Sequence, residues 1–410
     1  MVDVEILIAG AGPAGLFMAR ALAGSGLRVA IADPQRAAVL AAPADDGREI
    51  ALNQRSLRML REWQAWDRIA DADRAPLRAA RVMDRDLSAA MRFDPSDDGA
   101  LGTLVSNHAL RRAAWEGVQG QDALELLLEQ RVVELRREAD AMVATLQHAD
   151  GTQRTLRARL VVAADTRFSQ LRRMMGIGAE QFDFGKSMLV CRMRHDKPHE
   201  STAWEWFGLQ QTLALLPLAP GQSSVVLTLP PLDMQAMQQL DADAFAHDIE
   251  RRFDHRLGAM ELISDRFVYP LVGVYAQRFS APRFALLGDA AVGMHPVTAH
   301  GMNFGLLGVE LLAAELRGAA DVGDAERLAR YARRLRLATR PLYLATEAVV
   351  RLYTDSRPPA LALRGIALRA AQALAPLRAG VTRALLDSGE PLALRLAARL
   401  PPLPGLPRLG

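Results

Sequence analysis

Residues 284–305 read FALLGDAAVGMHPVTAHGMNFG, and the fold turns on this stretch. It begins as a short apolar run, Phe284-Ala285-Leu286-Leu287, of the kind that fills a buried parallel strand. The run stops at Gly288-Asp289, where the missing Cβ lets the backbone come close to a ligand. Asp289 stands at the carboxyl end of the strand, the side on which open α/β sheets bind ligands. After a loop holding His295-Pro296, the residues Gly301-Met302-Asn303-Phe304-Gly305 open a helix that continues through Glu310-Leu311-Leu312. The first peptide N–H groups of that helix have no intrahelical partner and point into the same crevice. A carboxylate for a sugar hydroxyl and a helix start for an anion converge there, and reduced flavin presents both groups.

The N-terminus carries the complementary half. Residues 3–8, DVEILI, make an apolar strand that runs into Gly10-Ala11-Gly12-Pro13-Ala14-Gly15. A helix with small residues for close packing follows (Ala14, Ala19, Ala21, Ala23). A second strand, Arg28–Ala32, then ends at Asp33, eighteen residues after Gly15. This is G-x-G-x-x-G in the strand–turn–helix–strand setting that its chemistry requires. Gly10 makes the turn, Gly12 lets a pyrophosphate approach backbone N–H groups, and Asp33 takes ribose hydroxyls.

Composition narrows the alternatives. A chain of 410 residues suggests two or three lobes. No run of eighteen apolar residues is present to span a bilayer, and the first strand starts too near Met1 for a signal peptide. One cysteine, Cys191, forbids an internal disulfide and suits a reducing, cytoplasmic compartment; its apolar neighbours mark it as a buried thiol. The net charge is only +3, and the arginines alternate with Asp and Glu, with Lys186 and Lys197 the only lysines. That is a mixed solvated surface, which excludes nucleic acid as a partner.

Between the two flavin segments, Gly47-Arg48-Glu49-Ile50-Ala51-Leu52 leads into an amphipathic helix through Leu57, Leu60, Trp63 and Trp66. Residues 79–93 read as a small hairpin. Asn107-His108-Ala109-Leu110-Arg111 opens another helix, and Arg112 is an equally charged neighbour of Arg111. A three-stranded antiparallel patch is expected at 132–135, 141–147 and 155–157, followed by a separate buried strand, 160–164, ending at Asp165. From 180 to 275 the period is that of antiparallel strands (188–194, 203–207, 212–218 and 223–229), with one helix at 245–253. Trp204, Trp206 and Phe207 are candidates for an aromatic pocket there. No histidines or carboxylates show metal-ligand spacing, and no Ser-His-Asp grouping stands out. Helical segments at 331–344 and 345–353 precede a tail from Arg357 with eight arginines against Asp387 and Glu390. Its amphipathic stretches suit packing on the protein, self-association or peripheral contact with the inner face of an anionic membrane.

The motif at Gly288, Asp289, Ala290, Ala291, Pro296, Gly301, Asn303 and Gly305 resembles the second flavin-binding motif of the class A flavoprotein monooxygenases. By that resemblance Asp289 binds the flavin ribityl chain, and Pro296, His300 and the helix start border the isoalloxazine ring. G-R-x-I-A-L followed by S-x-x-x-L is similar to the ubiquinone-biosynthesis hydroxylases and lays Arg48 over the flavin. Their N-x-x-L-R segment maps the pyrophosphate-neutralising arginine onto Arg111. Their A-D-G-x-x-S-x-x-R motif is matched by Asp165, Ser169 and Arg172, with Thr166 in place of the glycine. Val297-Thr298-Ala299-His300-Gly301, where most of the family has a G-Q-G turn, and FGKSMLVCRM at 184–193 look most like the UbiM-type branch.

The implied fold is α/β: a Rossmann-like FAD-binding domain of the p-hydroxybenzoate-hydroxylase kind, an inserted antiparallel β-sheet substrate domain and a helical C-terminus. The FAD-binding parts are expected at 1–75, 105–179 and 276–345. A substrate-domain hairpin is expected at 76–104, the substrate domain proper at 180–275, and the helical region and tail at 346–410. The implied activity is aromatic hydroxylation with FAD as cofactor, NAD(P)H as co-substrate and O2, through a flavin hydroperoxide, with no protein nucleophile. The implied substrate is a polyprenylated phenol of ubiquinone biosynthesis, and other proteins of that route are candidate partners. Three other readings stand beside it: a monooxygenase of soluble aromatics, a flavin halogenase, and a non-catalytic assembly component. The halogenase lacks its W-x-W-x-I-P string here, since Trp204-Glu205-Trp206 is not followed by Ile-Pro.

Overall fold

The computed structural model describes residues 2–84, 86–94, 99–208, 211–294 and 300–354. Five strands of the first sheet run parallel, in the order Phe284–Leu286, Gln153–Ala163, Val4–Ala9, Val29–Asp33 and Leu124–Leu128. Ile6, Leu7, Ile8, Val161, Val162, Ala285 and Leu286 have no exposed surface. Helices cover the sheet, which is why these strands read as unbroken apolar runs. The helix Pro13–Ala21 packs against both Asn107–Val118 and Gly301–Leu316.

Two boundaries differ from the sequence reading. The segments expected as two strands, 155–157 and 160–164, are one strand, Gln153–Ala163. Its first half pairs antiparallel with Met142–His148, and its second half pairs parallel with Val4–Ala9 and Phe284–Leu286. The change from Arg-rich to apolar at residue 160 marks where the strand passes from half-exposed to covered on both faces. It marks no break in the chain, because no turn residue lies between. Likewise the segments 331–344 and 345–353 belong to a single helix, Ala325–Thr354, which runs through Pro341.

Among the described residues the second sheet has nine strands. Its main path is Val292–Gly293, Phe267–Ala276, Ala179–His195, Gln222–Leu229, Thr212–Pro217, Thr202–Phe207, Ala79–Asp84 and Asp86–Phe93. The 79–93 hairpin therefore belongs to this sheet, through a parallel pairing of Ala79–Asp84 with Thr202–Phe207. Alternation places Leu189, Cys191, Met193, Leu213, Leu215, Val225 and Leu227 on one face, packed with side chains of the helices Pro231–Gln239 and Ala242–Arg252. Burial pushes the Cys191 thiol up to about 12, as befits an inert core residue.

Trp204 and Trp206 lie on this core side. Their rings stack at 5.6 Å, and the Arg256 guanidinium sits 4.2 Å from the Trp204 ring centre. They do not form the aromatic pocket expected of them; a strand puts neighbours on opposite faces, and the cavity side belongs to the residue between them. Phe207 is buried without lining the cavity.

A third, three-stranded sheet was not legible in the sequence: Glu49–Leu52, Gly102–Ser106 and Arg74–Leu77, all antiparallel. A Cβ at Gly102 would stand 2.3 Å from the Leu52 carbonyl oxygen, so glycine is required for the close pairing. Among the described residues no helix is long and apolar enough to cross a membrane. The basic tail, 357–410, lies outside the described residues.

Candidate cofactor and substrate site

The three glycines of the first loop have different tasks. Gly10 has φ +113°, and a Cβ there would stand 2.4 Å from the Ala164 carbonyl oxygen. A Cβ at Gly15 would stand 1.9 Å from the Gly10 carbonyl oxygen. Both are glycine because protein backbone fills the space. Gly12 has nothing within 4 Å of its missing Cβ and opens directly on the main cavity. It also caps the Pro13–Ala21 helix, so unpaired N–H groups face that opening.

Asp33 does not stand open as the ribose ligand the sequence suggested. Its Oδ2 accepts from the Ala11 N–H at 2.7 Å and its Oδ1 from the Gln35 N–H at 2.8 Å. It is buried and is not among the residues lining the cavity. With a side chain this short, the carboxylate stays against the backbone and fastens the glycine loop to the end of the second strand.

Across the opening, Asp165 accepts from the Gln170 N–H at 2.9 Å through Oδ2, while its buried Oδ1 has no partner among the described residues. Gly288 has φ +60°, and its missing Cβ would lie 2.9 Å from that of Ala14. Asp289 reaches the cavity half-exposed and pairs with Arg167 at 3.1 Å. Arg167 also donates to the Val272 carbonyl at 3.1 Å. Reading the sequence did not single out Arg167; its only signal was its place between Asp165 and Ser169. Arg172 is buried, and one nitrogen donates to the carbonyls of Arg167 and Ala290, each at 3.0 Å. It therefore ties the loop after Asp165 to the turn that carries Asp289. Burial lowers its affinity for the proton, and the nearby Asp165 carboxylate offsets this only in part.

Asn303 departs from expectation in the same way as Asp33. Its Oδ1 accepts from the Asn53 N–H (3.1 Å) and the Ser56 hydroxyl (2.7 Å), and its Nδ2 donates to the Ala51 carbonyl (2.8 Å). The side chain binds the helix Gly301–Leu316 to the Gly47–Ser56 segment, and what it leaves for a cofactor is backbone at the helix start. His300 is buried against Phe304 and does not line the cavity; Gly301, with open space at its missing Cβ, and Met302 do. Pro296 and His295 lie outside the described residues.

Arg48 lines the cavity and is steered by Asp46, which it meets at 2.5 Å. Asn107 donates to the same carboxylate oxygen at 2.7 Å, and the Tyr269 ring lies 5.4 Å under the guanidinium. The two neighbouring arginines separate cleanly. Arg112 pairs with Asp73 at 3.3 Å and reaches Glu116 at 4.0 Å. Arg111 lines the cavity and has no ion-pair partner among the described residues.

Glu49 also lines the cavity, with its carboxyl buried and held by Arg192 at 2.8 Å. Burial outweighs the arginine and pushes the carboxyl from 4.5 to about 7. A carboxyl raised on folding binds its proton more tightly in the native state, so stability from this group is present below pH 4.5 and is lost as pH rises towards 7. The unfolding free energy of wild type relative to Glu49→Gln should therefore fall across that window in paired urea titrations. A flat difference would show that Arg192 keeps Glu49 ionised throughout.

The cavity has a volume of ≈ 640 Å³, within the range of small-molecule sites. One end is polar backbone and charge: Gly12, Arg111, Asp165, Asp289 and Gly301. The other is the face of the second sheet, with Met188, Val190, Ala214, Leu216 and Val226. FAD fits the polar end on three observations: the open Cβ positions at Gly12 and Gly301, the orphaned Asp165 oxygen, and the unpaired Arg111 beside them.

Residues 3–342 match the family model described as an FAD binding domain. The chain is 40% identical over 394 residues to the ubiquinone hydroxylase UbiM of Neisseria meningitidis, covering 93% of this chain and 84% of that one. It is 35% identical over 380 residues to the ubiquinone hydroxylase UbiL of Rhodospirillum rubrum, covering 91% and 87%. Its fold is similar to that of p-nitrophenol 4-monooxygenase PnpA from Pseudomonas putida, with a TM-score of 0.71 at 18% identity over 94% of this chain and 99% of that one. The glycine loop, the Asp289 turn and the helix at Gly301 thus stand in a chain that belongs to the FAD-dependent monooxygenases of the ubiquinone hydroxylase family.

Proposed function

We propose that this enzyme hydroxylates the aromatic ring of a prenylated phenol on the way to ubiquinone, using NAD(P)H and O2. The observation that carries this reading is the joining, in one cavity, of the polar cleft at Gly12, Asp289 and Gly301 to an apolar sheet face. When bound, FAD supplies the electron transfer and oxygen activation that no side chain here can supply. The protein contributes position, charge and exclusion of water. The N–H groups at Gly12 and the Arg111 guanidinium receive the pyrophosphate, Asp289 accepts from a ribityl hydroxyl, and Arg48, held by Asp46, borders the ring. The sheet side chains hold the substrate's ring against it. The test is to incubate purified protein with NAD(P)H, O2 and short-chain prenylated or unprenylated phenols. The prenylated phenol should gain one oxygen atom by mass; preferential turnover of the unprenylated one would move the reading to soluble aromatics.

Two substitutions probe the cofactor end. Asp289→Ala should weaken FAD by about 1.5–3 kcal/mol, the worth of a charge-assisted hydrogen bond, as measured by flavin fluorescence titration. An unchanged affinity would leave Asp289 as the partner of Arg167 alone. Arg111→Ala should cost about as much, and Arg112→Ala little, since an exposed pair contributes roughly 0–1 kcal/mol. Equal losses would assign the pyrophosphate to the helix start and not to either arginine.

A further inference from the structure

The strand Thr202–Phe207 turns its two tryptophans into the core and Glu205 into the cavity. Pairing across the sheet sets Glu205 in one row with Ala214, Val226 and Val190, all lining the same space. The next row is Thr212, Thr228 and Met188. Ala214, directly beside Glu205, leaves room in front of the carboxyl. Six other charged side chains line the cavity: Arg48, Glu49, Arg111, Asp165, Arg167 and Asp289. The four other than Arg111 and Asp165 stand in ion pairs, Asp165 accepts from the backbone, and Arg111 lies at the polar end. Among the described residues Glu205 has no hydrogen-bond or ion-pair partner.

An isolated carboxyl on an apolar face is costly, and a leucine there would pack better. Burial pushes the Glu205 carboxyl well above the usual carboxylate range, and in its protonated form the group offers one O–H donor and one C=O acceptor. A phenolic hydroxyl also has one donor and one acceptor, so the two groups can satisfy each other in a pair of hydrogen bonds. We propose that Glu205 is the residue that recognises the substrate's phenolic hydroxyl, fixing which ring edge is turned towards the cofactor end of the cavity. The inference rests on the phenol reading above and adds the group that reads the phenol.

The experiment uses FAD-loaded protein and follows the flavin absorbance change on titration with a short-chain prenylated phenol and with its O-methyl ether. Wild type should bind the phenol about tenfold more tightly than the ether, the worth of a buried hydrogen bond. Glu205→Leu should bring the two affinities together while keeping full FAD, and should unfold at a higher temperature without ligand. Glu205→Gln, which still donates and accepts, should retain most of the preference. An unchanged phenol-to-ether ratio in Glu205→Leu overturns the proposal and leaves Thr212 and Thr228 as readers of the hydroxyl. Lost FAD, or a lower unfolding temperature, overturns it by showing that the carboxyl serves the cofactor or the fold. If wild type responds to neither compound, the phenol reading falls and this one with it.

Discussion

Gly12→Val is expected to give a folded, colourless protein, and Gly15→Ala a protein that scarcely folds. The two positions belong to one loop, yet the space around them differs completely. Gly12 has φ −72° and ψ 175°, a backbone conformation that valine adopts readily, and nothing stands within 4 Å of its missing Cβ. The valine side chain would enter the cavity where the pyrophosphate must meet the helix start, so affinity is lost without strain in the protein. At Gly15 the new methyl would lie 1.9 Å from the Gly10 carbonyl oxygen. Overpacking against side chains costs about 1–3 kcal/mol, and the backbone carbonyl of a turn residue whose N–H is tied to the Ala32 carbonyl cannot move aside as a side chain would. The loss should reach or exceed the top of that range, a large share of the roughly 5–15 kcal/mol that stabilises a domain. Visible absorbance of the purified proteins and thermal unfolding of each check the pair. A yellow Gly12→Val variant with stoichiometric FAD would falsify the assignment of this loop to the pyrophosphate.

Asn303→Ala should destabilise the protein by roughly 3 kcal/mol or more, an effect larger than its effect on FAD. The substitution strands the Asn53 N–H and the Ala51 carbonyl, and it also removes the acceptor of the Ser56 hydroxyl. Each buried group left without a partner costs about 1–3 kcal/mol, although the Ser56 hydroxyl can turn elsewhere. Asn53 is itself the cap of the Gln54–Glu62 helix, accepting from the Ser56 N–H at 2.8 Å, so the loss spreads to that helix start. Asn303→Asp keeps the acceptor and loses only the donor to Ala51, and should fall between. Urea unfolding of the three proteins, each saturated with FAD, gives the comparison. If Asn303→Ala kept wild-type stability but released FAD, the side chain would be a cofactor ligand after all.

Local pattern was enough to mark the loop and the turn proposed to hold the cofactor. Gly10, Gly12 and Gly15, the apolar strands around them and the turn at Gly288-Asp289 are legible because backbone sterics and strand burial act over a few neighbouring residues. The same holds for the alternation from 180 to 275, which marks a sheet with one covered face. The sequence could not tell which polar side chains face the ligand and which face the protein. Asp33 and Asn303 match a cofactor motif, yet their side chains bind backbone within the fold. Arg111 and Arg112 are equivalent until Asp73 and Glu116 are seen to take the second. Glu205 was passed over between two conspicuous tryptophans, because its importance comes from Ala214, Val226 and Val190 on three other strands. Sequence by itself determined the apolar strands beside the glycine turns, which follow from short-range sterics and periodicity, and its resemblance to a family supplied the cofactor class. Only the tertiary structure decided the partner of each polar group, since a hydrogen bond between residues 51 and 303 depends on where the whole chain brings its segments together.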